Sequence, residues 1–373
     1  MASRERALKA IFLQETDRIP HWEFLSNPDF EWELTGINPR EHPQKARLRT
    51  LELLDIDVEI PPRSDTPVVF QMTEEGQLRN VQGKPVAAWG SGITWAWDHG
   101  ARFSSLEEIL QFDPIEHFLY RESEEIFEDL DPLQRFLHLP QEEMSAKLNE
   151  DFHFLQGLVG ERALVPGHYY RTLLMWPLML FGWERFAELV YCYPDHFQRI
   201  WKGFAEISLK VMQAFAATDI EVFTSHDDLC MTRGPIFNPE WYRRNLYPYY
   251  EKLWEPLKKA GKRIIFISDG KLDAVIDDVL SCGADGFFAE SHTDLEALSR
   301  RYGKDKVLVG NLDGRILEYG DREDIKREVE RCARFGKECP GYFFCVGNHL
   351  THSIPPQNIQ HYFEVAQELG QRP

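Results

Sequence analysis

The residues of this chain that could do chemistry stand where apolar runs give way to polar ones. Lys262–Asp269 reads KRIIFISD: Ile264, Ile265, Phe266 and Ile267 are followed by Ser268, Asp269 and Gly270. Such a run reads as a strand buried on both faces, as in parallel sheets. A carboxylate at its carboxyl end lies where α/β folds keep reactive groups. The plan recurs along the chain. Ile220–Thr224 leads to His226, Asp227 and Asp228; Gly286–Ala289 to Glu290; Val307–Gly310 to Asn311 and Asp313; Gly341–Val346 to Asn348 and His349. Neighbouring carboxylates raise one another's pKa, which suits acid–base work, so His226 and Asp228 are candidates for moving protons. Asp269, Glu290 and His349 make a hard O/N donor set. They would polarise a substrate directly, or hold Zn²⁺ or another divalent ion. The competing role for all these groups is to cap helices and satisfy loop amides.

Aromatic and polar residues near the first and third strands could wall a pocket. Ile19–Phe24 reads as a first strand and contributes His21, Trp22 and Glu23. Leu164-Val165 reads as a brief third strand, with His168 and Tyr170 just beyond it. Rings such as Trp22 and Tyr170 suit an aromatic or methylammonium ligand, and each could equally serve as core packing. Cys345 and Cys230 fall within or just past predicted strands and read as buried thiols.

The elements that must position these groups follow from periodicity. Ser3 can cap a helix through Ala7, Leu8, Ile11 and Phe12. Residues near 41–55 form a second amphipathic helix, followed by a strand over residues 55–60. Phe197, Ile200, Phe204, Ile207, Val211 and Phe215 mark one helix face. Asn238-Pro239 and Asp294 open further helices, and others are predicted over residues 272–280, 322–335 and 357–369. Residues 66–103 differ: short alternating runs at 68–70, 77–81 and 93–97, separated by glycines, have the grammar of an antiparallel insertion. Ser105 and Glu108 form a capping-box signal. Eight strands with helices between them predict an α/β protein: a (β/α)8 TIM-type barrel as one domain over residues 1–373, with the small antiparallel insertion at 66–103. A doubly wound open sheet is the alternative.

Composition bounds the partners. At 373 residues and 43% hydrophobic, the chain can bury a large core. A formal charge of −19 argues against nucleic acid or an anionic membrane surface. The six cysteines lack CxxC spacing, and no signal peptide precedes the chain, so the expected setting is cytoplasmic. No apolar run reaches the roughly 20 residues of a membrane span.

Taken in order, several pieces resemble the uroporphyrinogen decarboxylase superfamily. They are Arg4–Pro20 (RERALKAIFLQETDRIP), His226-Asp227-Asp228 with Asn238-Pro239-Glu240, Phe266–Gly270, Gly283–Gly286, Tyr302-Gly303 with Val309-Gly310-Asn311, and Pro355-Pro356-Gln357-Asn358. The resemblance covers most of the chain and implies a (β/α)8 barrel with a deep cleft at its carboxyl rim. It implies one of two activities: decarboxylation of a tetrapyrrole, or methyl exchange with cobalamin, coenzyme M or folate partners. The decarboxylases bind substrate carboxylates through an Arg-Gln-Ala-Gly-Arg motif after the first strand; here that place reads His21-Trp22-Glu23-Phe24-Leu25. They also use an Asp after the second strand, which Asp65 matches only with a gap. The methyltransferases hold zinc with His-x-Cys after the fifth strand and Cys after the eighth. Here Ile267, Asp269 and Asn348 take those places, so the thiolate set is absent. The expectation is a methyltransferase that exchanges a methyl group between a small methylated substrate and a corrinoid carried by a partner protein. His226, Asp228 and Asp269 would be catalytic. His21, Trp22, Glu23, His168, Tyr170 and Asn348 would contact substrate, and Asp269, Glu290 and His349 would hold a metal. A decarboxylase of a tetrapyrrole or smaller acid, and a non-catalytic binding protein on the same barrel, are the alternatives.

Overall fold

A computed structural model describes residues 3–66, 70–72, 78–80, 103–120 and 132–372. Local sequence signals account for its helices. Pro194–Ala216 has Pro at its first position and buries Phe197, Ile200, Phe204, Ile207, Val211 and Phe215, the face that the 3.6-residue period requires. Asn238 caps Pro239–Asn245 by accepting the Glu240 N–H at 2.9 Å. Asp294 caps Leu295–Tyr302, and Asp321 with Asp324 forms a full capping box at Arg322–Gly336. Ser105 accepts the Glu108 N–H, while the Glu108 carboxylate reaches back to the Ser104 N–H. The helix expected over 272–280 is shorter, Ile276–Ser281. No helix among the described residues is long and apolar enough to cross a membrane.

Eight parallel strands carry the site: β1 (His21–Trp22), β2 (Ile56–Val58), β3 (Gly167–Tyr169), β4 (Val222–His226), β5 (Arg263–Ile267), β6 (Gly286–Ala289), β7 (Val307–Gly310) and β8 (Tyr342–Phe343). The continuous hydrogen-bonded sheet runs through six of them, in the order β8-β7-β6-β5-β4-β3, and β1 with β2 forms a separate parallel pair. This is less than the eight-stranded ladder expected. The interruptions fall beside prolines, which offer no N–H to a ladder: Pro20 precedes β1, Pro61-Pro62 follow β2, and Pro166 precedes β3. The third strand accordingly begins at Gly167 rather than at Leu164. Single parallel bridges lie at both junctions, His21 with Phe344 and Val58 with Leu164. At the first, Phe344 N–H donates to Pro20 O at 2.9 Å and Trp22 N–H to Phe344 O at 3.0 Å.

Two cores flank the strands. The larger lies between strands and helices; the smaller joins Trp22, Val58, Val222, Ile265, Ile267, Phe288, Val309 and Phe343 to Ala7, Ala10 and Ile11 of the first helix. Alternation along each strand sorts residues between them: Val222, Ile265 and Ile267 face the smaller core, Phe223, Ile264 and Phe266 the larger. Within the expected insertion, Phe70–Met72 and Leu78–Asn80 pair antiparallel. The run expected at 93–97 lies outside the described residues.

Candidate active site

Register brings the polar strand ends together. Ile267 of β5 lies opposite His226 of β4, so the residues two further along, Asp269 and Asp228, also meet on the same face. The Asp269 N–H donates to Asp228 Oδ1 at 2.9 Å, and the same oxygen lies 3.0 Å from His226 Nε2. One donor atom from each of His226, Asp228 and Asp269 lies within 4.8 Å of the others. Asp228 is buried, and its Oδ2 has no hydrogen-bond partner among the described residues. Glu290, two residues past Phe288, accepts the Gly270 N–H at 2.7 Å and the Asn348 amide at 3.0 Å. The same Asn348 nitrogen lies 3.4 Å from Asp269 Oδ1. Gly270 is held at φ +83°, and a Cβ there would come within 2.6 Å of Met231 O. Its glycine therefore serves a close approach of the 230–235 hairpin as well as a left-handed turn.

Charge is crowded here. Burial, then Asp228 and Glu290, push the Asp269 carboxyl up to about 8. Burial pulls the His226 imidazole down, but the charge and hydrogen bond of Asp228 outweigh it, and the net shift is upward. The Tyr170 ring lies 4.3 Å from His226 between centroids. His168, beside them, is held by Thr224. Thr224 Oγ1 donates to Gly167 O at 3.1 Å, so it accepts from His168 Nδ1 at 2.8 Å. Burial takes this imidazole down to about 3, with His226 adding to the fall. His168 is therefore a neutral ring whose Nε2 is left to accept a hydrogen bond. Thr224 was absent from the sequence-predicted site; its signal was its place two residues before His226 on the same strand.

Several expected residues are placed elsewhere. His21 and Glu23 alternate with Trp22 and point to the opposite face, where Glu23 accepts hydrogen bonds from the Tyr362 hydroxyl and from Val346 N–H. Burial pushes the Glu23 carboxyl up to about 8 and keeps His21 well below its ordinary value. These two are built into the contact with the last helix, Pro356–Leu369. Trp22 packs edge-on against Phe288 and Phe343, and Trp22 and Glu23 still border the smaller cleft beside His168 and Thr224. Asp227, between two site residues, also faces away: it accepts the N–H groups of Leu173, Leu174 and Met175 and the Tyr250 hydroxyl. Asp313 is a helix cap paired with Arg315. His349 does not join the cluster of His226, Asp228 and Asp269: its Nδ1 lies 2.9 Å from Ser26 Oγ, and its ring lies against Phe24. Cys345 and Cys230 are buried, and burial pushes the Cys230 thiol up to about 12.

Two clefts open at this end and share His349. One, about 400 Å³, is lined by Glu290, Asp313, Arg315, Asn348 and His352 among others. The second, about 220 Å³, lies against Trp22, Phe24, Arg47, Glu59, His168 and Thr224. Arg47 pairs with Glu31 at 2.8 Å and Glu59 at 3.0 Å, and Arg315 with Asp313 at 2.6 Å. Both arginines of the clefts are thus already neutralised.

A family profile described as uroporphyrinogen decarboxylase (URO-D) matches residues 177–369. Curated relatives of that name include one from Geobacter sulfurreducens, 24% identical over 190 residues, which are 51% of this chain and 54% of the relative. Another, from Salinispora tropica, is 28% identical over 187 residues, 50% of this chain and 48% of the relative. The chain thus spans about half the length of the curated relatives it matches. Among solved structures, a methyltransferase from Methanosarcina mazei superposes over 99% of both chains with a TM-score of 0.62 at 14% identity. That likeness is one of fold.

Proposed function

From the premise that the chain belongs to the uroporphyrinogen decarboxylase family, we propose that it is an enzyme exchanging a methyl group between a small methylated substrate and a corrinoid carried by a partner protein. One observation carries this reading over decarboxylation. The cleft end holds Asp228, Asp269 and Glu290, while the arginines that line the two clefts, Arg47 and Arg315, are paired internally. A polycarboxylate needs guanidinium partners and would meet like charge here. A neutral or cationic methyl compound meets none of that repulsion. The methyltransferase fold neighbour agrees with this choice; the decarboxylase name of the relatives favours the competing reaction.

In this proposal His226 and Asp228 handle protons, and Asp269 lies beside the reacting group. His168 Nε2, Tyr170 and Asn348 orient the substrate. The family's thiolate zinc set does not fit, because Ile267, Asp269 and Asn348 offer no sulfur, and no step is routed through it. Barrel closure belongs to the same reading, and the bridges at His21–Phe344 and Val58–Leu164 support it. A single domain over residues 1–373 and a cytoplasmic setting are part of the same proposal. The test is incubation with a reduced corrinoid protein and candidate methyl donors. Appearance of the methyl-corrinoid spectrum is the expected result. Its absence for all donors, with release of CO₂ from a carboxylic acid, would give the reaction to the decarboxylase reading.

A further inference from the structure

We propose that His226, Asp228 and Asp269 form a binding site for one hard divalent cation of the Mn²⁺ or Mg²⁺ kind. Their candidate donor atoms all lie within 4.8 Å of one another. His226 Nε2 and Asp228 Oδ1 are 3.0 Å apart. That contact and the Asp269 N–H occupy Oδ1, so Oδ2 is the oxygen of Asp228 left to meet an ion, at a bond length of about 2.1 Å. The donors are two carboxylates and an imidazole, which suit hard or borderline ions and offer nothing to a thiophilic one.

A second observation points to a ligand. The Asp228 side chain is only 4% exposed, yet Oδ2 has no partner among the described residues. A buried carboxylate oxygen without a donor is costly, and the usual remedies are a proton, a water or a metal. Among the described residues, the side-chain donor that Asp228 meets, His226, is spent on Oδ1, and Asp228 makes no ion pair with a lysine or arginine. Glu290 does not compete for the ion as a first partner. Its two oxygens already accept from Gly270 N–H and from the Asn348 amide, whose nitrogen also lies 3.4 Å from Asp269 Oδ1. The site therefore replaces the expected ligands Glu290 and His349 with His226 and Asp228 and keeps Asp269.

The inference does not rest on methyl transfer, and with the ion bound His226 and Asp228 hold it instead of handling protons. A protein that binds the ion but transfers no methyl group would keep the site and lose only the reading of its function. The experiment is a Mn²⁺ titration of chelator-stripped full-length protein, with free Mn²⁺ read by electron paramagnetic resonance. One saturable Mn²⁺ per chain is expected. Asp228→Asn and Asp269→Asn preserve shape, and each should weaken binding by at least about tenfold, as loss of ligand-shell groups generally does; Glu290→Gln should weaken it far less. Thermal midpoints measured with chelator report whether each variant is folded, and Mn²⁺ should raise the midpoint of the wild type but not of Asp228→Asn. No saturable binding by the wild type, or equal binding by both aspartate variants, would overturn the site.

Discussion

One hydroxyl decides what His168 can do. Because Thr224 Oγ1 spends its proton on Gly167 O, His168 must place its own proton on Nδ1. With burial holding the ring down to about 3, His168 is a fixed acceptor at every physiological pH. Nitrogen-15 NMR of metal-free protein should show it unprotonated at Nε2 and flat between pH 5 and 8, while His226, shifted upward, titrates above its usual range. Thr224→Val should leave the buried Nδ1–H unpaired, cost about 1–3 kcal/mol of stability, and let the other tautomer appear. A His168 resonance that titrates near pH 6.5 in the wild type would refute the lock. Asp269 gives a second test. Its carboxyl stands at about 8, against about 3.9 in an unfolded chain. Between those values the unfolded chain has released a proton that the fold still keeps, so this residue lowers stability as pH rises from about 4 to 8. In metal-free protein, Asp269→Asn should therefore gain thermal midpoint relative to the wild type at pH 7.5 and show little difference at pH 4.5. An equal difference at both pH values would mean that Asp269 ionises normally.

Elements, not motifs, decide which way these side chains face. β4 to β7 were legible in the sequence because strands buried on both faces are written as unbroken apolar runs, such as Ile264–Ile267. β1, β2 and β3 have only two or three residues each, and prolines at 20, 61, 62 and 166 blur their edges. Facing was not legible there. A shift of one residue exchanges the two faces of a strand, which is why His21 and Glu23 were grouped with Trp22 and are found against Tyr362 instead. The same parity splits His226-Asp227-Asp228. Asp227 turns outward and ties three successive amides, Leu173, Leu174 and Met175, to Tyr250. It fixes the start of the helix Met175–Phe181 against β4. Asp227→Ala would strand four buried donors. At about 1–3 kcal/mol for each group left unpaired, it should lose at least about 3 kcal/mol in chemical denaturation, with Asp227→Asn losing less. A loss below about 1 kcal/mol would show that water replaces the carboxylate.

At the scale of the whole molecule, the strand circuit and the N-terminal helix divide the labour. Ala7, Ala10 and Ile11 close the inner core at one end, and the acids and histidines collect at the other, where the strands' carboxyl ends point. The residue types at that end were legible because they follow apolar runs. Their pairing was not, since it depends on contacts between residues distant in sequence, such as Arg47 with Glu31 and Glu59. That pairing bears on the substrate. The chain carries −19 formal charges, and the two arginines that line the clefts are spent on the protein's own acids, so a polyanion entering either cleft meets no unpaired guanidinium on its described lining. Two like charges 4 Å apart repel by about 4 kcal/mol at the effective dielectric of a protein surface, and a tetrapyrrole octa-acid would incur that cost beside Glu290, which lines the larger cleft, while Asp269 keeps its proton below about pH 8 and gives the acid no cationic partner. Anaerobic incubation of the pure protein with uroporphyrinogen should therefore yield no coproporphyrinogen above the uncatalysed rate. A small methyl donor without carboxylates should in contrast be accepted, and raising the ionic strength should change its KM little. Enzymatic production of coproporphyrinogen would show that carboxylates are received without free arginines, and would place decarboxylation ahead of methyl transfer.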